Sequence, residues 1–215
     1  MRKQFFIAPV VILIFLSIYW FKTWIGINLL GGLTLHELAP FKYLQGYRIK
    51  RPGPGEIIIH ETFDRKDWLK RVWRPVWMRE KGKVHLEYDP EGLNGSQCLL
   101  VRSESERDWA CFSVCYLRVK QGDVFEYSGR ALLESRNGWA VMSFTTYNEN
   151  RDPIDWNYGK TKVIQTGSVV SVLKRVSVQK EIAFIRFHIS GVGKGEFRFD
   201  DIRLKMISEE NEPAE

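Results

Sequence analysis

Trp139 and Tyr147 sit in a segment that alternates aromatic, aliphatic and hydroxyl side chains, and two nearby segments carry charged residues at the same period. A flat aromatic surface takes the C–H face of a hydroxylated ring, and charged or amide side chains beside it hydrogen-bond the rim. That combination is the chemistry of a saccharide site. Trp139 and Tyr147 would supply the surface, and Glu126, Arg130, Arg186 and His188 the rim. Trp156, with Tyr158, stands in the loop 148–158, where it could close one side. The competing reading is structural: the same aromatics would cap a sheet or pack under that loop. Trp68, Trp73 and Trp77 read as strand or core packing.

Covalent chemistry finds little support. There is no Gly-x-Ser-x-Gly elbow and no His-Glu-x-x-His motif, and His36, His60, His85 and His188 are scattered. The stretch Ser190–Glu196 lacks the spacing of a phosphate loop and reads as a hairpin turn. Two acids on separate strands could stand about 5–9 Å apart as a glycosidase pair, but no spacing singles one out. The chain is therefore expected not to be an enzyme. Cys111 and Cys115 are about 13 Å apart if both lie on one strand, too far to bridge each other. Either could reach Cys98 on a neighbouring strand, and buried free thiols are the default.

The elements that must position these residues are short. Strands are expected at 56–63, 71–79, 83–88, 96–102, 109–119, 123–134, 138–147, 161–166, 168–179, 182–189 and 195–207. They are bounded by Gly, Pro, Asn and Asp and show no helical period of useful length. The fold class is all-β, an antiparallel sandwich. Alternation puts Ala183, Ile185, Phe187 and Ile189 on one face of their strand, with Arg186 and His188 on the other. It likewise separates Phe125, Tyr127, Ala131 and Leu133 from Glu126, Ser128 and Arg130. In the third strand it separates Ala140, Met142 and Phe144 from Trp139, Ser143, Thr145 and Tyr147. If the three strands share a sheet, its outer face gathers the whole candidate site.

Charge narrows the partners. The 215 residues carry 32 Lys+Arg and 26 Asp+Glu, a formal net charge of +6. All of that surplus lies in residues 1–55, which hold seven basic residues and the single acid Glu37, so the body is formally neutral and nucleic acid is not expected. Residues 1–4 form a short basic flank, and 5–21 are an uncharged apolar run of roughly 26 Å as a helix, expected to be a transmembrane signal-anchor. The run ends in Tyr19, Trp20, Phe21 and Trp24 rather than in the small residues of a cleavage site; a cleaved signal peptide is the rival. Residues 22–55 read as a juxtamembrane segment ending in the linker Arg51-Pro-Gly-Pro-Gly55, 56–207 as the folded domain, and 208–215 as an acidic tail. The expected placement is single-pass, with the domain outside the cytoplasm.

Several stretches, in order, resemble the jelly-roll carbohydrate-binding modules attached to xylanases and cellulases, within the galactose-binding-like sandwiches. They are Glu61-Thr-Phe-Asp64 with Trp68, Gly95–Val101 with Trp109, Val119–Arg130, Ser143–Asn150 and Phe197-Arg-Phe-Asp-Asp-Ile-Arg-Leu204. The resemblance covers residues 56–207. It implies a jelly-roll β-sandwich that binds a polysaccharide or glycan without cleaving it. It also implies a structural calcium between the first and last strands, with Asp64 and Asp200 at the matching positions. Read as residues alone, both aspartates end strands and bond to turns, and a core of this size requires no cofactor. The expected partners are a glycan and, through residues 5–21, a lipid bilayer. The alternative is a structural or protein-interaction domain of a cell-envelope assembly, with an envelope protein as partner and no sugar site.

Overall fold

The computed structural model describes residues 48–64, 72–73, 76–93 and 95–207. The expected anchor at 5–21, the segment up to 47, Trp68 and the tail at 208–215 lie outside the described residues. No helix among the described residues is long and apolar enough to cross a membrane.

Among the described residues thirteen strands form two sheets: β1 (Arg48–Lys50), β2 (Ile57–Glu61), β3 (Trp77–Met78), β4 (Val84–Leu93), β5 (Ser96–Ser103), β6 (Asp108–Phe112), β7 (Cys115–Arg118), β8 (Val124–Glu134), β9 (Trp139–Tyr147), β10 (Pro153–Val163), β11 (Val170–Ser177), β12 (Phe184–Val192) and β13 (Gly195–Ile207). In the first sheet β12 pairs with β9 on one side and with both β6 and β7 on the other; β10 lies beyond β9, β3 beyond β6 and β1 beyond β7. In the second, β13 pairs with β8 on one side and with β5 and β2 on the other; β11 and β4 form the edges.

The inner faces follow the alternation. Phe125, Tyr127, Ala131 and Leu133 of the second sheet bury against Met142, Phe144, Ile185 and Phe187 of the first. Tyr127 packs its ring 5.8 Å from Phe144 and 5.5 Å from Phe187, and its hydroxyl lies 3.0 Å from Met142 O and 2.7 Å from Gly159 O. A phenol buried in a core needs such a partner. In β13 the apolar spacing lengthens from two to three between Phe199 and Ile202, and both stay buried because a bulge absorbs the extra residue. Asp201 takes the left-handed conformation there, at φ 47°, and its N–H donates to Asp200 Oδ1.

Five features depart from the sequence reading. First, β8 belongs to the second sheet while β9 and β12 belong to the first, so the three strands that carry the candidate site do not share a sheet. Second, the compact unit begins at Arg48 rather than Glu56. The Pro/Gly stretch has no regular structure but is bound to the domain: Arg51 clasps the buried Asp123, and Gly55 N–H donates to Met206 O. Third, the segment 109–119 is two strands, broken at Ser113, whose N–H donates to Phe187 O. Fourth, most of the expected loop 148–158 is strand, because β10 runs from Pro153 through a bulged register against β9. Fifth, Cys98 lies on β5 of the second sheet, whereas Cys111 and Cys115 lie on β6 and β7 of the first, so neither is on a strand neighbouring Cys98. Burial pushes the Cys98 and Cys111 thiols up to about 12, so neither is a nucleophile at neutral pH.

Candidate functional site

Strand register builds a trough on the outer face of the first sheet. One row crosses five strands: Trp77 opposite Ala110, Ala110 opposite Ser190, Ser190 opposite Val141, and Val141 opposite Lys162. Its ends are long side chains and its middle short ones, of which Ala110 and Val141 are buried beneath the ends and Ser190 is half-buried. Three strand spacings separate Trp77 from Val141, about 14 Å. Trp77 is 45% exposed and forms one wall. Trp139, half-buried two residues along β9 from Val141, forms the other with Lys162, whose Nζ lies 4.6 Å from the indole centroid. Arg79 covers Trp77 in the same way at 5.7 Å, and is held there by two hydrogen bonds to Asp108, of 2.5 and 2.9 Å.

Trp77 escaped the sequence reading because Trp73, four residues earlier, is a core residue at 1% exposure and shares its parity. The usable signal was local: Val76 and Met78 pack on the core, so the residue between them faces out.

Beyond the trough the same face is closed. His188 lies between Phe112 and Ser143 in register, Arg186 beside Thr145, and Phe184 between Arg118 and Tyr147. Tyr147, Arg186, His188, Ser143 and Thr145 are all buried. The Arg186 guanidinium stacks on Phe112 and Tyr116, at 4.7 and 5.1 Å, and its Nε donates to Ser113 O at 2.6 Å. Tyr147 packs on Tyr116 at 5.0 Å. A saccharide cannot stack on Tyr147 or reach Arg186 and His188 in this arrangement, so that part of the expected site is structural. Trp156 stands apart on the edge strand β10, 56% exposed.

Ser143 Oγ and His188 Nε2 are 3.0 Å apart, the geometry of a nucleophile and its base. Burial first, and the Arg186 charge second, lower His188 to about 3. A base that weak leaves the serine unactivated at neutral pH. The two central strands β9 and β12 contain no Asp or Glu, which removes a facing pair of acids from the centre of the sheet.

The outer face of the second sheet holds the remaining expected residues, Glu126 and Arg130, which therefore cannot rim a site at Trp139. Glu126 is bound by Lys205 at 2.6 Å and Arg175 at 2.9 Å, and these cations hold its carboxyl below the usual range. Arg198 bonds Asp89, Glu134 and Glu196, and Arg102 bonds Glu87 and Glu196. Arg130 pairs with the buried Asp200, whose Oδ2 also accepts from Ser96 at 2.7 Å. With Asp201 N–H on Oδ1, both oxygens of Asp200 are engaged and a guanidinium already neutralises it. Asp64 accepts from Thr62 Oγ1 at 2.5 Å. Among the described residues no three His, Cys, Asp or Glu side chains converge to hold a metal. The donor set at Asp200 does not fit a calcium ion, which needs six to eight oxygens and no cation beside them.

No protein-family model and no curated protein matches the sequence. Solved structures do match in fold. The C-terminal family 22 carbohydrate-binding module of a Clostridium thermocellum xylanase superposes with a TM-score of 0.52 at 12% identity, over 73% of this chain and 98% of that one. A xylan-binding domain of the same module family gives 0.51 at 12% identity, over 72% and 97%. The binding and catalytic modules of a C. thermocellum endo-1,4-β-D-xylanase, complexed with xylohexaose, give 0.51 at 16% identity, and there the match covers 70% of this chain but 28% of the other. At these identities the likeness establishes a shared β-sandwich fold.

Proposed function

We propose that this domain binds a saccharide without cleaving it, in the trough between Trp77 and the Trp139–Lys162 wall. The observation that carries the reading is the row Trp77, Ala110, Ser190, Val141, Lys162: two indole walls on either side of the half-buried Ser190. Rings of a glycan chain would stack on the walls, and Ser190 would meet a hydroxyl. The fold shared with xylan-binding modules supports the reading. The apolar run 5–21 would hold the domain at a membrane, outside the cytoplasm.

The test is titration of the full-length chain against a panel of soluble polysaccharides, followed by tryptophan fluorescence. Trp77→Ala and Trp139→Ala should each weaken binding at least tenfold, as expected when one aromatic platform is removed, with Tyr147→Phe near wild type. If no glycan gives a response, the reading fails.

A second reading, a protein-interaction domain, is favoured by Ile154, Trp156, Ile164 and Leu173, exposed apolar residues in or beside the edge strands β10 and β11. Trp156→Ala separates the two, since it should leave glycan binding intact.

A further inference from the structure

Each wall of the trough is an indole with a cation over it, and the two cations differ in one respect. Arg79, over Trp77, is already neutralised by Asp108. Lys162, over Trp139, is exposed and has no ion-pair partner among the described residues. The rim at this end adds to the imbalance. Asp108, Val192 and Trp139 lie in one row, so the loop before β6 and the turn before β9 meet the same end of the trough. They bring Arg136, exposed and without an ion-pair partner among the described residues, and Arg107, exposed and beside Asp108, on which its charge acts.

We propose that the saccharide carries a carboxylate, and that the Trp139–Lys162 corner is the subsite for a uronate unit; the inference rests on the saccharide reading above. A neutral sugar stacking on the covered face of Trp139 displaces the ammonium and offers it only hydroxyl oxygens in exchange for the cation–π contact. A uronate replaces that contact with an ion pair, its ring on the indole and its carboxylate on Nζ. Lysine acts there as a point charge on a flexible stem, so it can follow the carboxylate. Arg136 raises the local potential and draws an anionic chain toward this end.

The test compares two ligands on the full-length chain by titration calorimetry: a glucuronate-substituted xylo-oligosaccharide and the same molecule with its carboxyl reduced to the alcohol. The acid form should bind roughly two- to fivefold tighter at low salt, with the advantage shrinking at high salt. Lys162→Gln should bring the two ligands to equal affinity and Lys162→Arg should keep the preference. Equal affinity in the wild type overturns the uronate subsite and leaves the saccharide reading standing. Binding of neither ligand, while vesicles of anionic lipid are bound, overturns both. A preference that survives Lys162→Gln removes the assignment to this corner.

Discussion

The two outer faces of this sandwich are built from the same kind of strand and are chemically opposite. On the second sheet every charge named above is answered by a neighbour: Arg198 by three carboxylates, Glu126 by two cations, Asp200 by Arg130. A ligand on that face would have to break pairs before making contacts. On the first sheet the central strands carry no acid, one end is sealed by aromatic stacking around Arg186, and the other end is a trough walled by two indoles. Recognition surfaces need groups whose bonding capacity is not already spent, and on the first sheet Lys162 is such a group, whereas each named charge of the second sheet is paired.

The largest effect expected from disturbing this contrast is on the second sheet. Arg130→Leu leaves the buried Asp200 carboxylate without its counter-charge and should cost about 3 kcal/mol in urea unfolding, with glycan affinity unchanged. A loss of binding in a folded Arg130→Leu protein would break the division of labour between the faces.

The next effect belongs to the first sheet. His188 is neutral when folded and titrates near 3, whereas the unfolded chain takes up that proton near 6.5, so the unfolded state binds more protons between these values. Stability should fall as pH drops below about 6.5, by about 2 kcal/mol at pH 5, and His188→Gln should flatten that slope. Asp89 and Glu126 on the other face have carboxyls already lowered, chiefly by Arg198 and Lys205, and contribute only at more acid pH. A melting temperature flat from pH 7 to 5 would show that His188 is not sealed. Smaller still is the effect of Arg102→Gln among the exposed pairs, a slight loss of stability that vanishes in salt. Chelation should do nothing: with Asp200 already bonded by Arg130 and Ser96, the melting temperature should be the same with and without EDTA, and a drop would reopen the calcium site.

Much of the fold was legible as alternation. The inner residues of β8, β9 and β12 are those that period two selects, and the three-residue step from Phe199 to Ile202 is visible as a bulge to anyone who counts it. Trp139 was legible as an outward aromatic, and Trp77 would have been, had Val76 and Met78 been used to orient it. β10 was not, because an edge strand with Pro153 and three register shifts lacks the pattern of a strand buried on one face.

By itself, the sequence determined which side of β8, β9 and β12 is buried, where the positive charge lies, and that a sandwich would form, because these depend on local periodicity and composition. Only the tertiary structure decided which strands lie side by side. That choice put Glu126 and Arg130 on one face and Trp139 on another, closed Tyr147, Arg186 and His188 away, and set Trp77 in a row with Lys162. The reason is that strand pairing is settled by hydrogen bonds between segments far apart in the chain, and a strand's own residues record its faces but not its neighbours.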